Sequence, residues 1–151
     1  MKKKVTLVRV QTVKEKVYMY DFRKVNSPQT ARDLFSKLDF FVNSDREMFL
    51  VASLNTKNEP TQIEVISVGS LNASIVHPRE VFKSAIISNA ASIICAHNHP
   101  SGDLKPSNED IEVTKRLVEA GKLLGIDVLD HIIMNDEGGY KSIRELHPHI
   151  F

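Results

Sequence analysis

The sequence predicts an α/β chain of the mixed α+β kind: a single domain with a mixed β-sheet flanked by helices. Three observations lead there. Short runs rich in valine and isoleucine (MFLVASLN, QIEVISVG, SIICAHN) alternate with segments of helical periodicity that open at Ser27-Pro28, His77-Pro78 and Ser107. The first two of these runs are joined by a short polar loop, which implies a hairpin and makes a purely parallel sheet untenable. The chain of 151 residues fits one domain, long enough to bury roughly 68–70% of its unfolded surface.

Residues 1–26 read as a basic N-terminal strand, ahead of the main domain at 27–151. The stretch KVTLVRVQTV is rich in valine and threonine. Lys2, Lys3, Lys4, Arg9, Lys14, Lys16, Arg23 and Lys24 stand against only Glu15 and Asp21. Such a segment could attract an anionic partner, or it could be a solvated strand face with a soluble tail. Ser27-Pro28 then places a cap before proline at the first helical position. Ala31, Leu34, Phe35, Leu38 and Phe41 recur at steps of three and four, forming one buried helical face that Asn43-Ser44-Asp45 ends.

Glu47 sits at the lip of MFLVASLN, and a Lys-Asn-Glu-Pro turn leads into QIEVISVG. A helix follows His77-Pro78, with Val81, Phe82, Ala85 and Ile86 facing inward. SIICAHN is a buried strand emerging at His97-Asn98-His99. Ser107 to Leu124 is the clearest helix, with Val113, Leu117, Ala120 and Leu124 as its stripe and Gly125 placed for a C-terminal cap. VLDHIIMN and YKSIREL, on either side of the turn-rich 135–139, pair as a last hairpin.

Bulk composition mainly excludes. A formal net charge of +1 points neither to nucleic acid nor to an acidic membrane. The lone cysteine, Cys95, rules out an internal disulfide and an all-cysteine zinc site. There is no signal peptide and no apolar run near the ~18 residues of a membrane span, so a cytoplasmic location with no membrane partner is expected. Internal repeats and low-complexity stretches are absent.

The chemistry gathers after SIICAHN. His97 and His99 are two apart at a strand end and so share one face, where both imidazoles can reach one cation. Catalytic zinc with two histidines needs a third protein ligand and an open fourth position. Asp110 is the best candidate, because the Pro100-Ser101-Gly102 turn can return the next helix over the strand end. His-x-His alone means little; with Ser107-x-x-Asp110 opening a helix it is far more specific. Ser107 and Asp110 also match a capping box, in which the serine caps the helix and the acid reaches back. Both readings stand.

HNHPSGDLKPSNEDI, LLGIDVLDHIIM and VHPREVFKSAI closely resemble the JAB domain of RadC-like proteins, within the JAMM or JAB/MPN+ metalloproteases. The resemblance covers most of residues 44–146 and implies a JAB/MPN architecture, similar to cytidine deaminases. It implies zinc (Zn2+) held by His97, His99 and Asp110, with water in the fourth position. Glu47 stands where the family places its general base. Ser107 matches the residue that hydrogen-bonds the oxyanion or the water. The reaction implied is hydrolysis of an amide in a protein or peptide, without a covalent enzyme intermediate. RadC-like proteins carry a DNA-repair label, so DNA or DNA-repair partners are implied by that name. The helix-hairpin-helix segment of longer members has no recognisable counterpart here. A second class of function is an accessory domain that binds DNA through the basic N-terminus, its metal structural or phosphodiester-cleaving.

Glu59 and Glu64 are rivals to Glu47, though each falls later in the hairpin. Asp103 either orients its loop or is solvated. Asn98 faces away from the histidines and bonds backbone, and Cys95 fills the core. His131 is either a satisfied structural histidine or an imidazole oriented behind the site by Asp130. His77, His147 and His149 read as structural or surface residues. Zinc deaminases need a later P-C-x-x-C, H-E-x-x-H is absent, and HNH nucleases spread their key residues over a longer hairpin-helix.

Overall fold

In the computed structural model, which describes residues 1–69 and 76–151, the expected hairpin is formed by β1 (Met48–Leu54) and β2 (Pro60–Val68). Its turn works because Asn58 takes the left-handed conformation (φ 59°) and Asn55 Oδ1 accepts the Lys57 and Glu59 backbone N–H groups. β3 (Ser92–Asn98) pairs antiparallel with β1 and parallel with β4 (Asp127–Met134). The short β5 (Tyr140–Ser142) closes the sheet in the order β2-β1-β3-β4-β5. A parallel pair needs a long crossover, and α4 (Asn108–Leu124) supplies it.

Helices cover both sheet faces. α1 (Pro28–Ser36) and α2 (Asp39–Val42) bury Leu34, Phe35 and Phe41 over Leu50, Ala52, Ile94, Ala96 and Ile132. On the other face α3 (Pro78–Ile87) and α4 bury Val81, Phe82, Val113 and Leu117 over Phe49, Val51, Ile93, Cys95 and Ile133. β1 and β3 are therefore buried at every position, which explains their continuous rather than alternating apolar pattern. Ser27 caps α1 through a box closed by Thr30, and Gly125 ends α4 in the left-handed region at φ 72°. None of the helices among the described residues is long and apolar enough to cross a membrane.

Several expectations need correction. Residues 1–20 form no strand. Their alternation favours an extended chain, but a strand also needs a ladder partner, and Val5, Leu7, Val10 and Val13 stand exposed. The segment docks only at its end: Tyr18, Tyr20 and Phe22 pack toward α1, Arg23 pairs with Glu59 at 2.7 Å, and the Val25 N–H bonds Asn58 O. The helix expected up to Phe41 breaks at Leu38 (ψ 89°), yet all five of its predicted apolar residues are buried. IREL is not strand: Ser142, the last residue of β5, caps a short α5 (Ile143–Leu146), its Oγ accepting the Glu145 N–H.

Two helical stripes are narrower than expected. Ile86 lies at the edge of the α3 stripe and is exposed, as is Leu124 on α4, and Ala120 is half-buried. The buried stripe of α4 is Asp110, Val113, Thr114, Leu117, Val118 and Gly121. Gly121 sets this rotation, because the chain entering β4 lies directly against it. A Cβ there would stand 2.4 Å from Ile126 O. Gly121→Ala should cost about 1–3 kcal/mol in urea unfolding, the usual penalty of overpacking. An unchanged midpoint would mean that β4 can yield there.

Candidate metal centre

The site forms where β3 ends and the chain turns back into α4. His97 follows Ile93 and Cys95 on the α4 side of the sheet, fully buried, its ring stacked on Phe49 at 6.4 Å and 12°. His99, just past β3, keeps that parity, and its backbone N–H bonds Met134 O at 2.8 Å. The loop after it is pinned. Gly102 at φ 87° returns its N–H to His99 O, Asn135 Nδ2 donates to Gly102 O, and the Asp103 carboxylate accepts the Lys105 N–H. The Asp103 backbone carbonyl, not its side chain, faces His99 Nδ1. Asp103 thus orients the loop and one imidazole together.

α4 then delivers Asp110. Ser107 Oγ accepts the Asp110 N–H at 3.1 Å, and Asp110 Oδ2 accepts the Ser107 N–H at 2.8 Å. The capping box and the cation site are one arrangement, since the carboxylate that closes the box also faces both histidines. His97 Nε2 lies 3.2 Å from Asp110 Oδ1, His99 Nε2 lies 3.3 Å from Oδ2, and the two Nε2 atoms are 2.8 Å apart. Ligands bound at ~2.0–2.1 Å around tetrahedral zinc stand roughly 3.3 Å from one another, so these donors would open only slightly to hold the ion. Two imidazoles and a carboxylate suit zinc and leave a fourth position.

The electrostatics agree. Burial alone would raise the Asp110 carboxyl, but the facing His97 and His99 imidazoles and the Ser107 backbone N–H hold it well below the usual carboxylate range. The Asp110 hydrogen bond raises His99 against the opposing pull of burial, with help from the Asp103 carbonyl and the charges of Asp110 and Glu47. That influence locates Glu47 near the cluster. Phe49 pairs with His97 in the antiparallel ladder, and continuing the register by two sets Glu47 opposite His99. Glu47 is half-buried at the entry to β1, where its carbonyl accepts the Gly69 N–H.

Its rivals lie elsewhere. Glu59 is in the β1–β2 turn with Arg23 and Asn55, and Glu64 pairs with Val51 at mid-strand. Asn98 turns to the other face, accepting the Met48 N–H and donating to Arg46 O. A cavity of about 380 Å³ opens there between Asn43–Asp45 and His99-Pro100. Cys95 is core, its thiol pushed up by burial.

His131 stands behind the site, but Asp130 does not orient it. Asp130 projects to the opposite face, where it accepts the Ser142 hydroxyl and the Arg144 N–H; its only bond to His131 is with the backbone N–H. Burial pushes the Asp130 carboxyl up, and burial with the neighbouring His97 holds the His131 imidazole well below its usual value. The partners of His131 are His97 Nδ1 and Thr114 Oγ1, each at 2.7 Å. Sequence reasoning missed Thr114. Its signal was a threonine four residues after a candidate ligand, on the same helical face.

Comparison with known proteins accords with this geometry. The model of the RadC-like JAB domain matches residues 25–148. A protein named only as a UPF0758 protein in Methanosarcina mazei is 55% identical over 124 residues, 82% of this chain and 52% of that protein. UPF0758 proteins of Alkaliphilus metalliredigens (56% over 122 residues; 81% of this chain, 51% of theirs) and Bacillus cereus (57% over 122; 80% and 52%) are similar. The chain thus spans about half the length of these curated relatives.

The cluster should bind one zinc per chain, measured by calorimetry and metal analysis. His97→Ala and Asp110→Asn should abolish binding, and zinc at a hundredfold over its Kd should add about 2.7 kcal/mol of stability. Because His99 is held above its ordinary value, protons should compete for it at higher pH than for an ordinary imidazole. Affinity should fall about tenfold per pH unit for each proton displaced; a flat profile would place the metal elsewhere.

Proposed function

The chain belongs to the RadC-like JAB domain family, and on that premise we propose that it is a zinc-dependent hydrolase of amide bonds in proteins or peptides. The observation that carries this reading is the buried His97–His99–Asp110 donor set with Glu47 on the neighbouring strand. A bound zinc would supply Lewis acidity, lowering the pKa of a water to ≈ 7 and polarising the substrate carbonyl. The chain's own groups do the rest. Glu47 accepts the proton of the attacking water at its carboxylate and passes it to the departing nitrogen, as the new C–O bond forms and the C–N bond breaks.

Ser107 has one hydroxyl proton, and its oxygen already accepts the Asp110 N–H. That proton can be donated to the developing oxyanion, while the cap keeps the side chain from rotating away. A cytoplasmic location belongs to the same proposal.

A second reading concerns residues 1–24, which lie outside the family match and hold exposed lysines. Association with DNA or with DNA-repair partners would run through this segment, with the steep salt dependence of counterion release. In that case His97→Ala would remove the metal and leave DNA affinity intact.

The deciding experiment is Glu47→Gln. Zinc content should be unchanged while hydrolysis of peptide or isopeptide substrates falls about 10²–10⁴-fold. Chelation should abolish the activity and added zinc restore it. Activity that survives in Glu47→Gln, or that ignores chelators, overturns the assignment.

A further inference from the structure

Each hydrogen bond behind His97 has only one consistent direction. Thr114 Oγ1 is 2.6 Å from Asp110 O, one helical turn earlier. A carbonyl oxygen can only accept, so the single threonine proton is committed to it. His131 Nδ1, 2.7 Å from the same Oγ1, must then be the donor. His131 is wholly buried, with Thr114 and His97 as its ring partners, so it is neutral and its Nε2 is left as an acceptor. The atom facing that Nε2 at 2.7 Å is His97 Nδ1, which therefore carries a proton and leaves His97 Nε2 bare toward Asp110 and His99.

We propose that His131 and Thr114 are positioning residues that fix the tautomer of His97, so that its Nε2 lone pair faces the metal centre before any ion arrives. The inference rests on reading His97, His99 and Asp110 as a metal centre, and is independent of whether amides are hydrolysed there. A metal-bound histidine usually gives its second N–H to a carboxylate, a backbone carbonyl or water. His99 follows that habit with the Asp103 carbonyl. His97 is buried among strands whose carbonyls are engaged in the sheet, and it uses a second imidazole instead. The chain of contacts returns to its origin: three hydrogen bonds link the Asp110 carbonyl, Thr114, His131 and His97, whose bare Nε2 faces the Asp110 carboxylate at 3.2 Å. One residue thus offers the ligand oxygen and, through its main chain, sets the proton on the opposing ligand.

The test begins with the unsubstituted zinc-free protein at mildly alkaline pH, by long-range 1H–15N correlation of its imidazoles. His97 and His131 should both appear as Nδ1–H tautomers, and an Nε2–H on either overturns the proposal. Thr114→Val keeps the shape but leaves the His131 N–H without an acceptor. His131 can then present Nε2–H and push His97 into the tautomer that cannot bind metal.

Zinc affinity should fall about 10–100-fold, with a changed His97 15N pattern, and Thr114→Ser should restore both. A Thr114→Val protein that binds zinc as tightly as the parent, or a serine variant that restores nothing, overturns the relay. Should Thr114→Val fail to fold, the spectrum of the unsubstituted protein decides alone. Correct tautomers and zinc binding without hydrolysis would defeat the enzymatic assignment only; hydrolysis with Nε2–H on His97 would defeat the relay only.

Discussion

The reciprocal bonds between Ser107 and Asp110 are the constraint on which the rest of the site depends. A helix must satisfy its first N–H groups, and a buried carboxylate must find donors. Here each need answers the other. With its carboxylate held at the first turn of α4, Asp110 cannot swing away from the strand end, and the two imidazoles have a fixed anion to face. The crossover of α4 between the parallel strands β3 and β4 brings that turn into place. The candidate metal centre is thus a consequence of how one helix starts.

The backing of the two histidines differs with depth. His99 lies near the surface and is held by its own loop, through a backbone carbonyl four residues on. His97 lies within the sheet, between Phe49 on β1 and His131 on β4, and is held by side chains from distant parts of the chain. The shallow imidazole is set by its pinned loop, whereas the deep one is set by the packed core of the sheet.

What was legible in the sequence was local. His97, His99, Ser107 and Asp110 fall within one strand-turn-helix unit, where strand parity and capping chemistry decide the geometry. The caps Ser27 and Gly125 were legible for the same reason. His131 was seen, but the one partner weighed for its ring, Asp130, is not the one it has. Asp130 is its neighbour in sequence, yet alternation along β4 sends the two side chains to opposite faces. Its true partners come through the parallel register and one face of α4, which no short window contains. The N-terminal segment failed conversely: its valines and threonines favour an extended backbone, but pairing is a property of the sheet.

The hairpin of β1 and β2 gives the domain two poles. Its turn, at Asn55–Glu59, lies at the end of β1 remote from Glu47, roughly 25 Å away at 3.3 Å per residue. Val25 and Arg23 tie the incoming chain to that turn, at Asn58 and Glu59. The molecule therefore has a handle at one end and the candidate metal centre at the other. A tether, tag or neighbouring module joined upstream of residue 23 is attached at the handle, while Glu47 and His99 lie at the other end. For immobilisation or fusion the polypeptide carries its own mounting point.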